Sequence, residues 1–168
     1  MPSCKDIKRI VPRARMQEGI DKCKENIADY LQDALLIANT GRLYHAIISL
    51  EFALEEFGKM LLLKESMNKE TGDSIRIDGN EFCSHDKKLM RALEFIDSKK
   101  EYRVLWQIAW LKMAFPLGFY PHVTISSETR LSCSFVDYKD NNWTLGKIIN
   151  PDSFKKLISA IEQELNKL

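Results

Sequence analysis

Apolar residues near the start of the chain recur every three or four positions, which is the period of an amphipathic helix. The stripe consists of Ile20, Cys23, Ile27, Tyr30, Leu31, Ala34, Leu35 and Ala38. Pro12 is a start signal, and Asn39-Thr40-Gly41 is a stop signal because Asn and Gly accept the left-handed conformation at a helix end. The pattern predicts a first helix between these two signals.

The next segment, from about Arg42 to Asn68, is apolar on nearly every side of a helical wheel. A helix of this kind packs on several faces and is usually central. Glu51, Glu55 and Lys59 interrupt the apolar positions at a spacing of four residues, and they lie within about 80° of each other on the wheel. Apolar neighbours share this arc, so it is not an ordinary solvated face.

The rest of the chain predicts three more helices and a small insertion. Helices are expected over Glu81 to Asp97, over Lys100 to Ala114 and from Pro151 onward, with a loop over Lys69 to Asn80. Partial alternation in Leu131 to Tyr138, with a return over Trp143 to Ile148, is typical of a short hairpin. The predicted fold is all-α, a bundle of about five helices with a small irregular or β-hairpin insertion before the last helix.

Length and charge narrow the class of protein. The 168 residues fit one domain over 1–168, in which residues 1–14 are expected to be a flexible basic segment. Lys and Arg number 25 against 24 Asp and Glu, so RNA binding would need a local basic patch. The apolar stretch around Leu43 to Leu63 contains charges that exclude an ordinary membrane span.

The four cysteines are far apart and have no CxxC spacing, so we expect reduced thiols rather than a zinc site or a disulfide framework. The basic N-terminal residues include no apolar run of the kind that makes a signal peptide. A cytoplasmic protein without a membrane partner is the resulting expectation.

The charges on the second helix have a structural and a functional interpretation. Glu55 can pair with Lys59 one turn later, and such an internal ion pair would fix how helices dock. Gly58 beside them costs about 1 kcal/mol in a helix relative to Ala, and is tolerated where another element approaches closely. An intact buried pair adds little net stability, which leaves room for a functional site.

His85 is the histidine with the best claim to chemistry, because it lies on the inward stripe of the third helix and Lys88 is one turn away. A histidine can move a proton in phosphodiester cleavage while a cation offsets phosphate charge. The alternative is a capping or core histidine that is satisfied by a carbonyl. His45 is interpreted as structural and His122 as a loop residue.

A metal site is not expected. A di-iron bundle needs Glu-x-x-His pairs on two helices, whereas Glu81 and His85 are four residues apart. The chain also lacks a P-loop, a Rossmann glycine pattern and a Gly-x-Ser-x-Gly motif, so we expect no cofactor.

Three strings together resemble a known family. They are Gly41-Arg42-Leu43-Tyr44-His45-Ala46, Glu55-Glu56-Phe57-Gly58-Lys59 and Phe82-x-x-His85-x-x-Lys88-Leu89. In this order they are similar to the signature of the AbiV family of bacterial abortive-infection proteins, over roughly residues 25 to 160.

The resemblance implies an all-helical fold of the HEPN superfamily. Proteins similar to these are often metal-independent endoribonucleases that act as dimers with the site at the two-fold interface, and many serve in phage defence. AbiV itself is associated with arrest of translation in infected cells. HEPN ribonucleases usually carry Arg, then four to six residues, then His; here Arg76 is nine residues before His85, and Arg42 is three before His45.

Two hypotheses follow. In the first, the protein is an antiphage endoribonuclease effector and homodimer that acts on tRNA, mRNA or the ribosome. Its expected catalytic residues are Glu55, Lys59, His85 and Lys88, and its expected substrate contacts are Glu56 and Arg91. In the second, the same residues organise a non-catalytic module that acts by binding a phage or host protein.

Overall fold

The computed structural model describes residues 9–98, 137–139, 142–144, 155, 158–159 and 161–163. Most of these residues are helical, which confirms the predicted all-α class. Two helices of 27 residues each, α1 (Arg13–Asn39) and α2 (Leu43–Lys69), form a helical hairpin across a short turn. Gly41 adopts φ +81° in that turn, the left-handed conformation that the Asn-Thr-Gly string predicts.

Helix α1 presents one face to the core, as its stripe predicts. Its buried residues are Met16, Ile20, Cys23, Ile27, Leu31, Ala34 and Ala38. Helix α2 contacts α1 and also three elements later in the chain, which confirms its central position among the described elements. Its buried apolar residues are Ala46, Ile47, Leu50, Ala53, Leu54, Phe57, Met60, Leu62 and Leu63.

A two-stranded antiparallel sheet lies in two segments for which the sequence predicted no strand. Strand β1 (Arg9–Pro12) pairs with β2 (Ser74–Ile77), from Arg9 opposite Ile77 to Pro12 opposite Ser74. The first strand lies in the segment expected to be flexible, and the second lies in the expected loop over Lys69 to Asn80. The two strands pair across more than sixty residues of chain, and β2 buries Ile75 and Ile77 on one face.

Arg13, the first residue of α1, connects this sheet to the end of α2. Its backbone N–H donates to the Asp73 carbonyl at 2.8 Å, and its guanidinium donates to the carbonyls of Met67, Glu70 and Gly72. The carbonyls at the end of a helix lack intrahelical partners. Arg13 therefore closes the C-terminal end of α2.

The predicted third helix over Glu81 to Asp97 is two helices, α3 (Gly79–Cys83) and α4 (His85–Ser98). Ser84 separates them with an extended backbone, φ −84° and ψ 118°, and its hydroxyl accepts from the Lys87 N–H at 3.4 Å. Serine in this role is an N-cap, which favours a new helix start over a continuous helix. The break makes His85 the first residue of α4.

Strands β3 (Asp137–Lys139) and β4 (Asn142–Thr144) pair antiparallel, with Tyr138 opposite Trp143, which confirms the predicted hairpin where it is described. Ile158 and Ile161, at the expected last helix, are buried in the same core cluster as α1 and α2. The expected helix over Lys100 to Ala114 lies outside the described residues. Among the described helices, none combines the length and apolarity that a membrane crossing requires.

The expectation of reduced thiols is wrong for Cys83, which is disulfide-bonded, whereas Cys23 is a buried free thiol. Sequence spacing alone does not reveal which distant cysteines the fold brings together.

Candidate functional site

A cluster of Glu55, His85 and Lys88 joins the middle of α2 to the first turn of α4. One carboxylate oxygen of Glu55, Oε2, lies 2.5 Å from His85 Nδ1 and 3.2 Å from Lys88 Nζ. The side chains of Glu55 and Lys88 are 5% and 9% exposed, whereas that of His85 is 56% exposed. The cluster is therefore a sealed ion pair with an imidazole at its solvent-facing side.

Gly58 allows this arrangement, because α4 crosses α2 at that position. A Cβ atom on Gly58 would lie 1.9 Å from the carbonyl oxygen of Lys88, a distance that side-chain movement cannot relieve. The close approach predicted from a glycine inside α2 is confirmed. This close approach brings the backbone of α4 near enough for His85 and Lys88 to contact Glu55, which lies one turn before Gly58 on α2.

The Glu55 contact determines the tautomer of His85. A carboxylate can only accept, so Nδ1 carries the proton that is donated to Glu55, and Nε2 is the remaining ring nitrogen. A histidine held in this way has an oriented ring and a second nitrogen that can accept a proton. The geometry is suited to general acid–base chemistry.

Lys59 pairs with Glu56 on the same helix, three residues earlier, rather than with Glu55 as predicted. Its ammonium group also lies 5.6 Å from the centre of the Phe82 ring, and the Arg9 guanidinium lies 4.7 Å from that centre. The side chain of Lys59 is 21% exposed. Lys59 and Glu56 are therefore beside the cluster and outside its ion pair.

Arg91, an expected substrate contact, is held by two carboxylates. Its Nη2 donates to Glu81 Oε2 at 2.8 Å, and its Nη1 donates to Glu65 of α2. The side chain is 28% exposed. The sequence contains no pattern that indicates these partners, because ten and 26 residues separate them from Arg91.

Glu51, the first of the three charges noted on α2, is 1% exposed and lies one turn before Glu55. The polar centre of α2 thus contains two buried carboxylates. The other two histidines differ: His45 is exposed, and His122 lies outside the described residues.

The surroundings of Cys23 and Glu65 shift their pKa values in opposite directions. Burial, and next the negative charge of Glu56, raises the pKa of the Cys23 thiol to about 11. The pKa of Glu65 is lowered, first by the hydrogen bond from Lys69, with a further contribution from Arg91. Cys23 is therefore a neutral thiol at physiological pH, and Glu65 is a carboxylate that is available to hold Arg91.

No group of three His, Cys, Asp or Glu residues in the described part of the chain is arranged to hold a metal ion. The donors that the fold brings together are one carboxylate, one imidazole and one ammonium group. These groups can transfer protons and offset charge.

The helical hairpin, the crossing of α4 over Gly58 and the polar centre between them define an all-α bundle of the HEPN type. The family model described as AbiV, a HEPN family, matches residues 15–165. The chain therefore belongs to the AbiV family, as its sequence strings indicated. Comparisons with curated proteins and with solved structures give no match.

Proposed function

We propose that this protein is an antiphage, abortive-infection effector that cleaves RNA as a metal-independent endoribonuclease. Membership in the AbiV family supports the cellular role. One observation carries the chemical part: His85 is oriented by a buried carboxylate while 56% of its side chain is exposed. A purely structural histidine would be expected to bury its ring along with its partner.

In the proposed reaction, His85 Nε2 accepts the proton of a ribose 2′-hydroxyl. The 2′-oxygen attacks the adjacent phosphorus, the bond from phosphorus to the 5′-oxygen breaks, and that oxygen leaves with a proton. The products are a 2′,3′-cyclic phosphate and a 5′-hydroxyl. In a homodimer that brings two copies of His85 to one groove, the second ring in its protonated form supplies the leaving-group proton.

Of the two lysines, Lys59 is better placed to offset phosphate charge: both are paired with a carboxylate of α2, but the side chain of Lys59 is 21% exposed and that of Lys88 is 9% exposed. The charge of Lys88 is balanced by Glu55 in a sealed contact. We therefore assign Lys88 the role of holding Glu55. Lys59 is assigned the role of stabilising the transition state.

The test is incubation of the purified protein with tRNA, mRNA or ribosomes, beside His85→Ala, Lys59→Ala and His45→Ala. General acid–base catalysis contributes roughly 10²–10⁴-fold, so His85→Ala should lose cleavage by a factor in that range. His45 is the matched control, since it is an exposed histidine on the same helix as Glu55. Equal cleavage by the wild type and both the His85 and Lys59 variants would refute the assignment.

A non-catalytic module is the second candidate, favoured by the sealed Glu55–Lys88 pair and by the missing Arg-to-His spacing of HEPN ribonucleases. In that case the cluster fixes α4 on α2 and shapes a surface for a phage or host protein. His85→Ala would then change stability or partner binding in a protein that has no nuclease activity to lose. RNA cleavage that depends on His85 would exclude this alternative.

A further inference from the structure

Arg91 lies where three helices meet. It belongs to α4, while its two carboxylate partners belong to the other two helices: Glu65 near the end of α2 and Glu81 in α3. Glu65 is in turn paired with Lys69 at 3.1 Å. A planar guanidinium with several N–H donors is suited to bridging two carboxylates in fixed directions.

The two carboxylates alter what Arg91 can bind. Nη1 and Nη2 of the guanidinium are each engaged by a carboxylate. The pocket beside it, of about 210 Å³, has charges of both signs, because Glu81, Glu94, Lys87 and Lys88 all line it. A phosphate group would have to displace a carboxylate to reach these two nitrogens of Arg91, which disfavours the substrate contact that the sequence suggested.

The position of the bridge relative to His85 indicates a different role. Glu81 lies four residues before His85 and Arg91 six residues after it, with the break at Ser84 between the two helices. The contact with Glu81 therefore fixes the corner from which His85 projects. The contact with Glu65 fixes α4 on α2, the helix that carries Glu55.

We propose that Arg91 is a positioning residue that holds His85 in register with Glu55 from outside the site. It acts through the orientation of α4 and makes no substrate contact. Its effect on cleavage rests on the proposed nuclease function, whereas its effect on the His85 ring does not. The two effects can therefore be measured separately.

The first experiment observes the ring directly, by ¹⁵N NMR of His85 at pH 8.5, where a free imidazole is neutral. The wild type should show the Nδ1-protonated tautomer, because Nδ1 donates to Glu55. Arg91→Gln should show a mixture of tautomers, and Arg91→Lys should recover part of the wild-type signal. Glu94→Gln is the matched control, since Glu94 is an exposed acid on the same helix and should leave the signal unchanged.

An unchanged single tautomer in Arg91→Gln would overturn the proposal. If Arg91→Gln does not fold, Glu81→Gln and Glu65→Gln each remove one contact and give the same readout. Either of these variants should show the mixed tautomers, and wild-type signals in both would also overturn the proposal.

The second experiment is steady-state cleavage of RNA by the same variants. Small misplacements of a reacting group cost on the order of 10²-fold in rate, so Arg91→Gln should lower kcat by roughly 10- to 100-fold with KM unchanged. A raised KM with kcat unchanged would identify Arg91 as a substrate contact and overturn the proposal. A wild type without nuclease activity would refute the proposed function, and the tautomer result would still decide the role of Arg91.

Discussion

At the scale of single residues, Glu55 is the side chain on which the polar centre depends, because one of its oxygens contacts both His85 and Lys88. Removing one partner of a buried ion pair leaves the other charge uncompensated and costs about 3–5 kcal/mol. Replacing both partners with apolar groups of similar volume is often neutral. Lys88 is nearly as buried as Glu55, so this asymmetry applies to both.

We expect Glu55→Gln to lower the free energy of unfolding by about 3 kcal/mol, and Glu55→Gln combined with Lys88→Met to recover most of that loss. Urea unfolding of the wild type, both single variants and the double variant measures the coupling. Additive losses in the double variant would show that the pair does not hold α4 on α2 through its charges.

Cys23 yields a prediction about pH. Its folded pKa of about 11 lies above the ordinary thiol value of 9.0, so the folded chain holds the thiol proton more tightly than the unfolded chain. The resulting stabilisation is complete below pH 9 and is lost as the pH rises through about 11. The neutral buried thiol should also react slowly with iodoacetamide at pH 8, because the thiolate is the nucleophile.

Mass spectrometry of Glu-C peptides measures alkylation of Cys23 in native and urea-unfolded protein. We expect native labelling to be slower by more than about tenfold, because burial raises the pKa of the folded thiol and so lowers its thiolate fraction. Equal labelling rates in the two states would contradict the burial of this thiol.

The sequence predicted part of the site at this scale. Glu55, His85 and Lys88 were all identified, because charges among apolar neighbours and a histidine on an inward stripe are unusual enough to indicate a polar centre. The predicted partner of Lys59, Glu55, was wrong. Glu55 and Glu56 are both within reach of Lys59 on a helix, and only the packing of α4 decides between them. The bridge of Arg91 depends on tertiary contacts and has no local signal.

At the scale of elements, the crossing of α4 over α2 depends on a missing side chain. In an isolated helix, Gly58→Ala would stabilise by about 1 kcal/mol. In this fold the new Cβ would overlap the backbone carbonyl of Lys88, so α4 must move and the Glu55 contacts are lost with it.

We expect Gly58→Ala to destabilise the protein by about 2 kcal/mol, in the range of overpacked cores, and to impair any function of His85. Gly19→Ala is the control, because its Cβ would lie 3.5 Å from Leu63 Cδ1, an ordinary contact. Thermal unfolding of both variants is the measurement. A stabilised Gly58→Ala protein would mean that α4 does not approach α2 as closely as described.

Arg13 holds the C-terminal end of α2, where its guanidinium donates to backbone carbonyls. Arg13→Gln should remove guanidinium contacts to three carbonyls and lower the free energy of unfolding by about 2 kcal/mol. Arg15→Gln is the control, because Arg15 is an exposed residue paired with Glu18 on the same helix, and such surface pairs contribute about 0–1 kcal/mol. Equal losses in urea unfolding would argue against Arg13 as the closure of α2.

Helices with a periodic pattern over many residues were predictable from the sequence, and strands whose partners are distant in the chain were not. The stripe of α1 and the all-round apolarity of α2 fixed both helices within a residue or two at their described ends. Strands β1 and β2 have four residues each, too few for a clear alternation of apolar and polar residues. Their hydrogen bonds connect the segment before α1 to the segment after α2. The break at Ser84 had a signal, an N-cap serine before His85, which the apolar stripe obscured.

At the scale of the whole molecule, residues from both ends of the family match contribute to one core. Met16 near its start and Ile158 and Ile161 near its end are buried in the same apolar cluster. A change that loosens α4 would therefore be transmitted to this core, to which Leu89 and Ala92 of α4 also belong. Loss of function in a variant must be separated from loss of folding before it is assigned to chemistry.

Loss of function can be separated from loss of folding in cells challenged with phage. His85 is more than half exposed, so His85→Ala should fold and accumulate like the wild type, while Gly58→Ala should lower the amount of folded protein. If the protein is an RNA-cleaving effector, His85→Ala should lose protection at normal abundance, and His45→Ala should keep it. The measurement is plaque formation beside immunoblots of each variant. Loss of protection that follows the amount of folded protein in both His85→Ala and Gly58→Ala would instead favour the interaction module, in which the cluster acts by organising the helices.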